Sequence, residues 1–282
     1  MDRLIGASVC PASAKIYKKY FNKFEKFCDD MGLFYRTEAC KSSVELWIAH
    51  LKKEGLAYST VLTHISALRH YFRKLDLKVS LDSERLKMLL KGFRNESKAG
   101  SKTAVSSSHL LRLDRAAEIL APKVACQFRC MMAVAFYGFL RPSEFCTTAS
   151  SHALLFRDVH WSKDKTYCHL ALRSFKHSKT EARVKLTDNS GEPLKPVLLL
   201  QQYLDLFGYK PPGAPLFDVS AQEFGKILQY VAGRAGIKSK LTPHCFRHGG
   251  ATWARKRGWT AAQIQVHGRW KSDAYLSYIK HN

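Results

Sequence analysis

Leu241-Thr-Pro-His-Cys-Phe-Arg-His-Gly-Gly-Ala-Thr252 is the stretch around which the chain is organised. His244 and Arg247 stand three residues apart. On a helix that follows Pro243 they share a face, because positions i and i+3 are neighbours. Thr242 is the predicted N-cap, and Pro243 suits the first turn. A helix that opens with a His and an Arg on one face can hold an anion. Its free N–H groups and its dipole add to the two side chains. A solvated surface helix would account for the two residues equally well if the stretch stood alone.

It does not stand alone. Upstream lies Tyr137-Gly-Phe-Leu-Arg-Pro-Ser-Glu144, and downstream Gly268-Arg-Trp-Lys-Ser-Asp-Ala-Tyr-Leu-Ser-Tyr278. In this order and spacing the three blocks resemble the tyrosine recombinase (phage integrase) family, over roughly residues 108 to 282. Their wording is most similar to the recombinases of eukaryotic mobile elements, the DIRS-like and Crypton-like groups. The resemblance implies a mainly α fold with a small antiparallel sheet. In it an N-terminal helical bundle and a mixed α+β catalytic domain form a clamp on DNA.

The residues themselves suit phosphodiester chemistry. Arg141 and Arg247 can grip two non-bridging oxygens in forked geometry and stabilise transition-state charge. Arg141 follows an apolar helix and needs a partner, for which Glu144 is placed. His244 can take the proton of the nucleophile or donate to phosphate. Tyr278 would attack, giving a 3′-phosphotyrosyl link that retains the phosphodiester energy, so religation needs no ATP. The resemblance implies a catalytic lysine in a β-hairpin turn. Lys179, in Ser-Lys-Thr, matches best, with Lys176 as the alternative. A sixth position, usually His or Trp, falls after the glycine of the last block. Counted back from Tyr278, Arg269 occupies that register. Trp270 fits by residue type and is preferred, with His267 third. Tyr275 shares a helical face with Tyr278, so periodicity alone does not separate them. The family spacing from Gly268 favours Tyr278.

Composition points the same way. The 282 residues carry a formal net charge of +23. Before Val105 there are 20 basic and 11 acidic residues, and from it onward 26 and 12, so both halves are basic. The economical partner is a polyanion, here double-stranded DNA. The eight cysteines make no Cys-x-x-Cys pair and read as reduced core thiols of an intracellular, non-secreted protein. There is no signal-peptide pattern and no apolar run of membrane-spanning length. No phosphate loop and no carboxylate cluster appear, so neither metal nor cofactor is expected.

In chain order, residues 1–94 read as an N-terminal helical DNA-binding domain of four amphipathic helices. The first runs over residues 11–30 with Ile16, Tyr20, Phe24 and Phe27 inward. In the third, Val61, Ile65, Leu68 and Phe72 point inward, and His64, Arg69, Arg73 and Lys74 outward. Lys18, Lys19, Arg69, Arg73 and Lys74 are the candidate DNA contacts. Residues 95–108 have a linker composition. Residues 109–282 read as the catalytic domain, with a buried helix over 124–140. Three strands follow, over 154–159, 168–173 and 182–186. Helices then cover 193–207, 221–233 and 261–265.

The reading is a metal- and ATP-independent site-specific recombinase. It would act as a dimer on a site and a tetramer in the synapse, in the nucleus if the source is eukaryotic and otherwise in the cytoplasm or nucleoid. A non-catalytic DNA-binding descendant of the fold and a type IB topoisomerase are the alternatives. The full set of Arg141, Lys179, His244, Arg247 and Tyr278 argues against the first. Relaxation of supercoils by a monomer without strand exchange would identify the second.

Overall fold

The structure is a computed structural model. It describes residues 8–36, 40–77, 79–97, 103–147, 153–173, 181–189, 191–208 and 210–279. The chain divides into two compact units, Met1–Gly100 and Ser101–Asn282. Among the described residues no helix is long and apolar enough to cross a membrane.

The first unit holds four helices: α1 Pro11–Asp30, α2 Cys40–Lys53, α3 Tyr58–Lys74 and α4 Glu84–Glu96. Pro11 begins α1, where its missing N–H costs nothing. Ser83 caps α4, accepting from Leu86 N at 3.3 Å. Phe24, Trp47, Ile48, Ile65 and Phe72 belong to one buried cluster. Two inward and outward assignments are corrected. Ile16 is 44% exposed, because Tyr17 is the residue that meets His70 across α1 and α3, at 5.6 Å. His64 is 1% exposed, not outward. It lies three residues after Val61, within the apolar stripe, and stacks on Tyr20 at 3.7 Å. Burial pushes its pKa down to about 4.

The second unit is built around α6, Pro122–Tyr137, whose described side chains are buried from Met131 to Tyr137. Before it comes α5, Ser107–Ala116; after it come the one-turn α7, Pro142–Phe145, and a sheet. Helices α8 Pro196–Phe207, α9 Ala221–Arg234, α10 Cys245–Lys256 and α11 Ala261–Gly268 follow, then a 3₁₀ turn, Asp273–Tyr278. Strands β1 Val159–Trp161, β2 Tyr167–Leu172 and β3 Ala182–Thr187 pair antiparallel in the order β1-β2-β3. Val184 and Leu186 enter the core while Arg183 and Lys185 face out, as period-2 alternation requires.

The fold is therefore mainly helical with a small antiparallel sheet, as expected. Three local expectations change. The first strand is shorter, because Phe156–Asp158 form a 3₁₀ turn. Asp158 holds that turn by accepting from Leu155 N at 2.8 Å, and it ion-pairs with Arg173 at 3.0 Å. Val105, assigned to the linker, is 1% exposed in the core of the second unit. Its N–H donates to Cys245 O at 3.2 Å. The buried helix stops at Tyr137 rather than at residue 140, and Phe139 takes a left-handed φ of 47°. All eight cysteines are free, and six are buried.

Candidate active site

The early end of α6 is what builds the site. The last carbonyls of a helix have no partner within it and attract cations. Here Tyr137 O pairs with His267 Nε2 at 2.7 Å. Gly138 O accepts from Arg269 Nη1 at 3.3 Å. Phe139 O accepts from Arg269 Nη2 at 3.1 Å and from Arg247 Nη1. The left-handed turn at Phe139 then sends the chain into Arg141 and α7.

Helix α10 supplies His244 and Arg247. It begins at Cys245, with His244 at the N-cap, so Thr242 is not the cap. Pro243 instead occupies the second position of a turn over residues 242–245, closed by Cys245 N donating to Thr242 O at 2.8 Å. Gly249 and Gly250 let α10 approach α6. A Cβ on Gly249 would strike Val105 O, and one on Gly250 would strike Phe136 O. That close approach carries the Arg247 guanidinium to the carbonyl of Phe139.

Arg247 is fully buried, at 0% exposure. Its Nη2 donates to Gly268 O at 2.6 Å. Trp270 covers the guanidinium at 4.1 Å and Tyr278 lies 5.6 Å away. Its Nε is buried without a described partner. Burial, then Arg141 and Arg269, push Arg247 down to about 9. One carboxylate balances these charges. Glu144, 1% exposed, accepts from Arg141 Nη1 and Arg141 N, both at 2.8 Å, and from Arg269 Nη2 at 2.8 Å. Burial raises the Glu144 carboxyl, but Arg269, Arg247 and Arg141 outweigh it and hold it below its ordinary value. Three guanidiniums around one carboxylate leave the pocket with excess positive charge, which a phosphate would neutralise.

A cavity of about 560 Å³ opens over this cluster, lined by Arg141, His244, Arg269, Trp270, Lys271, Ser272, Ala274 and Tyr278. The structure thus gathers Arg141, His244, Trp270 and Tyr278 at one cavity, with Arg247 against Trp270 and Glu144 behind Arg141. Tyr275, 7% exposed, packs in a cluster with Phe139, Ala251, Ile264 and Ile279, beneath Trp270 at 6.4 Å, and does not line the cavity. Of the three candidates for the sixth position, Trp270 lies over Arg247. A side chain on Gly268 would collide with the Trp270 ring, so the glycine permits that placement. Arg269 is turned inward onto Glu144. His267 is bound to Tyr137 O, and burial pushes its pKa down to about 4. Lys179 and Lys176 lie outside the described residues.

Two neighbours were not evident from the sequence. His248 is 2% exposed and stacks on Tyr278 at 4.2 Å with an interplanar angle of 18°. Lys271 borders the cavity. The signal for His248 was its place directly after Arg247, four residues from His244 and so on the same side of the helix. In the first unit, Arg69, Arg73 and Lys74 line a cavity of about 530 Å³ with Tyr17, Ser66 and His70. Arg69 is half-buried and paired with Asp82 at 2.9 Å, while Lys18 and Lys19 are exposed on α1.

Comparisons with known proteins bear on the fold and the family. No curated protein matches significantly. Among solved structures, a lambda integrase dimer bound to a COC′ core site is 14% identical, with a TM-score of 0.67 over 99% of this chain and 93% of that one. XerH recombinase bound to a palindromic difH substrate, in a post-cleavage complex, is 16% identical, with a TM-score of 0.62 over 83% and 68%. The Tn1549 transposon integrase in complex with circular intermediate DNA is 18% identical, with a TM-score of 0.58 over 86% and 81%. At these identities the likeness is one of fold. Residues 5–77 match the phage integrase N-terminal SAM-like domain. Residues 105–282, well over half of the chain, match the phage integrase family, and the protein belongs to that family.

Proposed function

We propose that this protein is a site-specific DNA recombinase that cuts and rejoins strands through a 3′-phosphotyrosyl intermediate. The observation that carries the reading is the meeting of Arg141, His244, Trp270 and Tyr278 at one cavity against buried Arg247, while Tyr275 is in the core. Arg141 and Arg247 would hold the non-bridging oxygens. The Tyr278 hydroxyl oxygen bonds to phosphorus, its proton passes to His244, and the bond from phosphorus to the 5′ oxygen breaks. Lys179, or Lys176 in its place, gives the leaving oxygen a proton. Reversal with a different 5′ hydroxyl joins new partners. Guanidinium groups supply the positive charge that a metal would bring, and the energy of the cut bond is kept in the tyrosyl ester, so neither metal nor ATP takes part.

Residues 1–94 would serve as a second DNA-binding domain beside the catalytic domain, whose core already includes Val105 rather than starting at residue 109. Lys18, Lys19, Arg69, Arg73 and Lys74 would make its phosphate contacts. Lambda integrase, XerH and the Tn1549 integrase hold DNA in their solved structures, the first as a dimer on a core site. A dimer on a site and a tetramer in the synapse are the corresponding assemblies here. The Gly-Phe-Leu-Arg-Pro-Ser-Glu and Gly-Arg-Trp-Lys-Ser-Asp-Ala-Tyr wording supports a recombinase of a eukaryotic mobile element, acting in the nucleus. The test is incubation with nicked duplexes from the flanks of the encoding element in EDTA, followed by a denaturing gel. A covalent protein–DNA adduct is expected. No adduct in EDTA, with one appearing on addition of Mg²⁺, would overturn the metal-independent mechanism.

A further inference from the structure

At the register where the resembled enzymes carry His or Trp, this chain carries Arg269, and the geometry gives it a different task. Its side chain is 3% exposed. Nη1 donates to His267 O at 2.8 Å and to Gly138 O at 3.3 Å. Nη2 donates to Glu144 Oε2 at 2.8 Å and to Phe139 O at 3.1 Å. All four terminal N–H groups are thereby committed, and Nε is buried. Arg269 borders the cavity but has no outward donor left for a phosphate. A left-handed φ of 58° at Arg269 turns it inward and leaves Trp270 to cover Arg247.

Glu144 is the other half of the argument. Its Oε1 takes Arg141 Nη1, and its Oε2 takes Arg269 Nη2 together with the Arg141 N–H. A buried carboxylate beside a phosphate site repels the phosphate unless cations hold it. With Arg269 removed, the cations left near Glu144 are Arg141 and Arg247, the two that the reaction needs. Glu144 would draw them inward and offset their charge.

We infer that Arg269 is a positioning residue for strand cleavage: by meeting part of the Glu144 charge it keeps that carboxylate from drawing Arg141 and Arg247 away from the phosphate. This rests on the recombinase reading above. It assigns Arg269 no contact with DNA.

The test uses the full chain, as wild type, Arg269→Gln, Arg269→Lys and Arg141→Ala. Each is given two nicked duplexes from the flanks of the encoding element. One has the ordinary scissile phosphate and the other a methylphosphonate there, which lacks the negative oxygen that Arg141 would hold. Single-turnover adduct formation, DNA affinity and thermal midpoint are measured. On the phosphodiester, Arg269→Gln should slow cleavage about 10- to 100-fold, the size of one missing charge-assisted hydrogen bond, with affinity nearly unchanged. Arg269→Lys, which keeps the charge but not the planar fork, should fall between it and wild type. On the methylphosphonate both defects should shrink, as should that of Arg141→Ala, because there is less charge for Arg141 to meet. Should Arg269→Gln not fold, Arg269→Lys carries the same comparison. Equal defects on both substrates, or normal cleavage below the thermal midpoint, would overturn the inference. If wild type forms no adduct on either duplex, the recombinase reading itself fails, and the inference with it.

Discussion

Arg247→Met separates the packing role of this side chain in the structure from its proposed role on the phosphate. Methionine is of similar length and apolar, so it keeps much of the packing while removing the charge and the donors. Two acceptors face Arg247, Phe139 O and Gly268 O. Phe139 O keeps a donor, because Arg269 Nη2 also reaches it at 3.1 Å. Gly268 O loses its side-chain donor, at about 1–3 kcal/mol. The Trp270 ring at 4.1 Å loses a desolvated cation–π interaction worth about 2 kcal/mol. Against this, repulsion from Arg141 and Arg269, which helps push Arg247 down to about 9, is relieved. The net is a loss of a few kcal/mol. For a unit this size, each kcal/mol lowers the thermal midpoint by about 2–4 °C. The catalytic cost is separate. Loss of a preorganised donor typically costs about 2.7–4 kcal/mol, or 10²- to 10³-fold in rate. The assay is single-turnover adduct formation at a temperature well below the measured midpoint, with affinity measured in parallel. Cleavage within threefold of wild type there would refute the phosphate role and leave Arg247 as a structural cation for Phe139 O and Gly268 O.

Tyr278→Phe should abolish the covalent adduct on a nicked duplex and leave DNA affinity unchanged. Tyr275→Phe should still form it; the opposite pattern on a denaturing gel would move the nucleophile to Tyr275. Charge reversal at Arg73 or Lys74 should weaken binding across sequences and reduce the log–log salt slope by about 0.9 for each phosphate no longer neutralised. An unchanged slope in filter binding would remove those residues from the interface. His64 stays neutral in the folded state down to pH about 4, whereas the unfolded chain takes up a proton near 6.5. Its contribution to stability is therefore present above pH 6.5 and lost as pH falls from there toward 4, by at most about 3 kcal/mol. His64→Phe should flatten urea-midpoint stability across that window. A profile as steep as wild type would contradict its burial as a neutral ring.

The order of the three motif blocks, the charge on both halves and the 3.6-residue apolar periods were legible from residue types alone. They led to a helical two-part protein with a small sheet, and the resemblance of the blocks to the recombinase family led to a cluster of Arg141, His244, Arg247 and Tyr278. The Arg141–Glu144 pair was legible too, because an arginine after a buried helix needs a near partner. Periodicity could not separate Tyr275 from Tyr278, since i and i+3 share a face. Only packing against Phe139 and Ile264 assigns one to the core, while the other lines the cavity. Nor could spacing show that Arg269 turns inward while Trp270 covers Arg247. That depends on a left-handed residue, a glycine too close to an indole for a side chain, and a helix that stops at Tyr137. Motifs record which groups the chemistry needs. Which place each neighbour takes depends on where the unpaired carbonyls of a helix end fall in space, and only the tertiary structure brings Phe139 O and Gly268 O to Arg247, and Glu144 to Arg141 and Arg269.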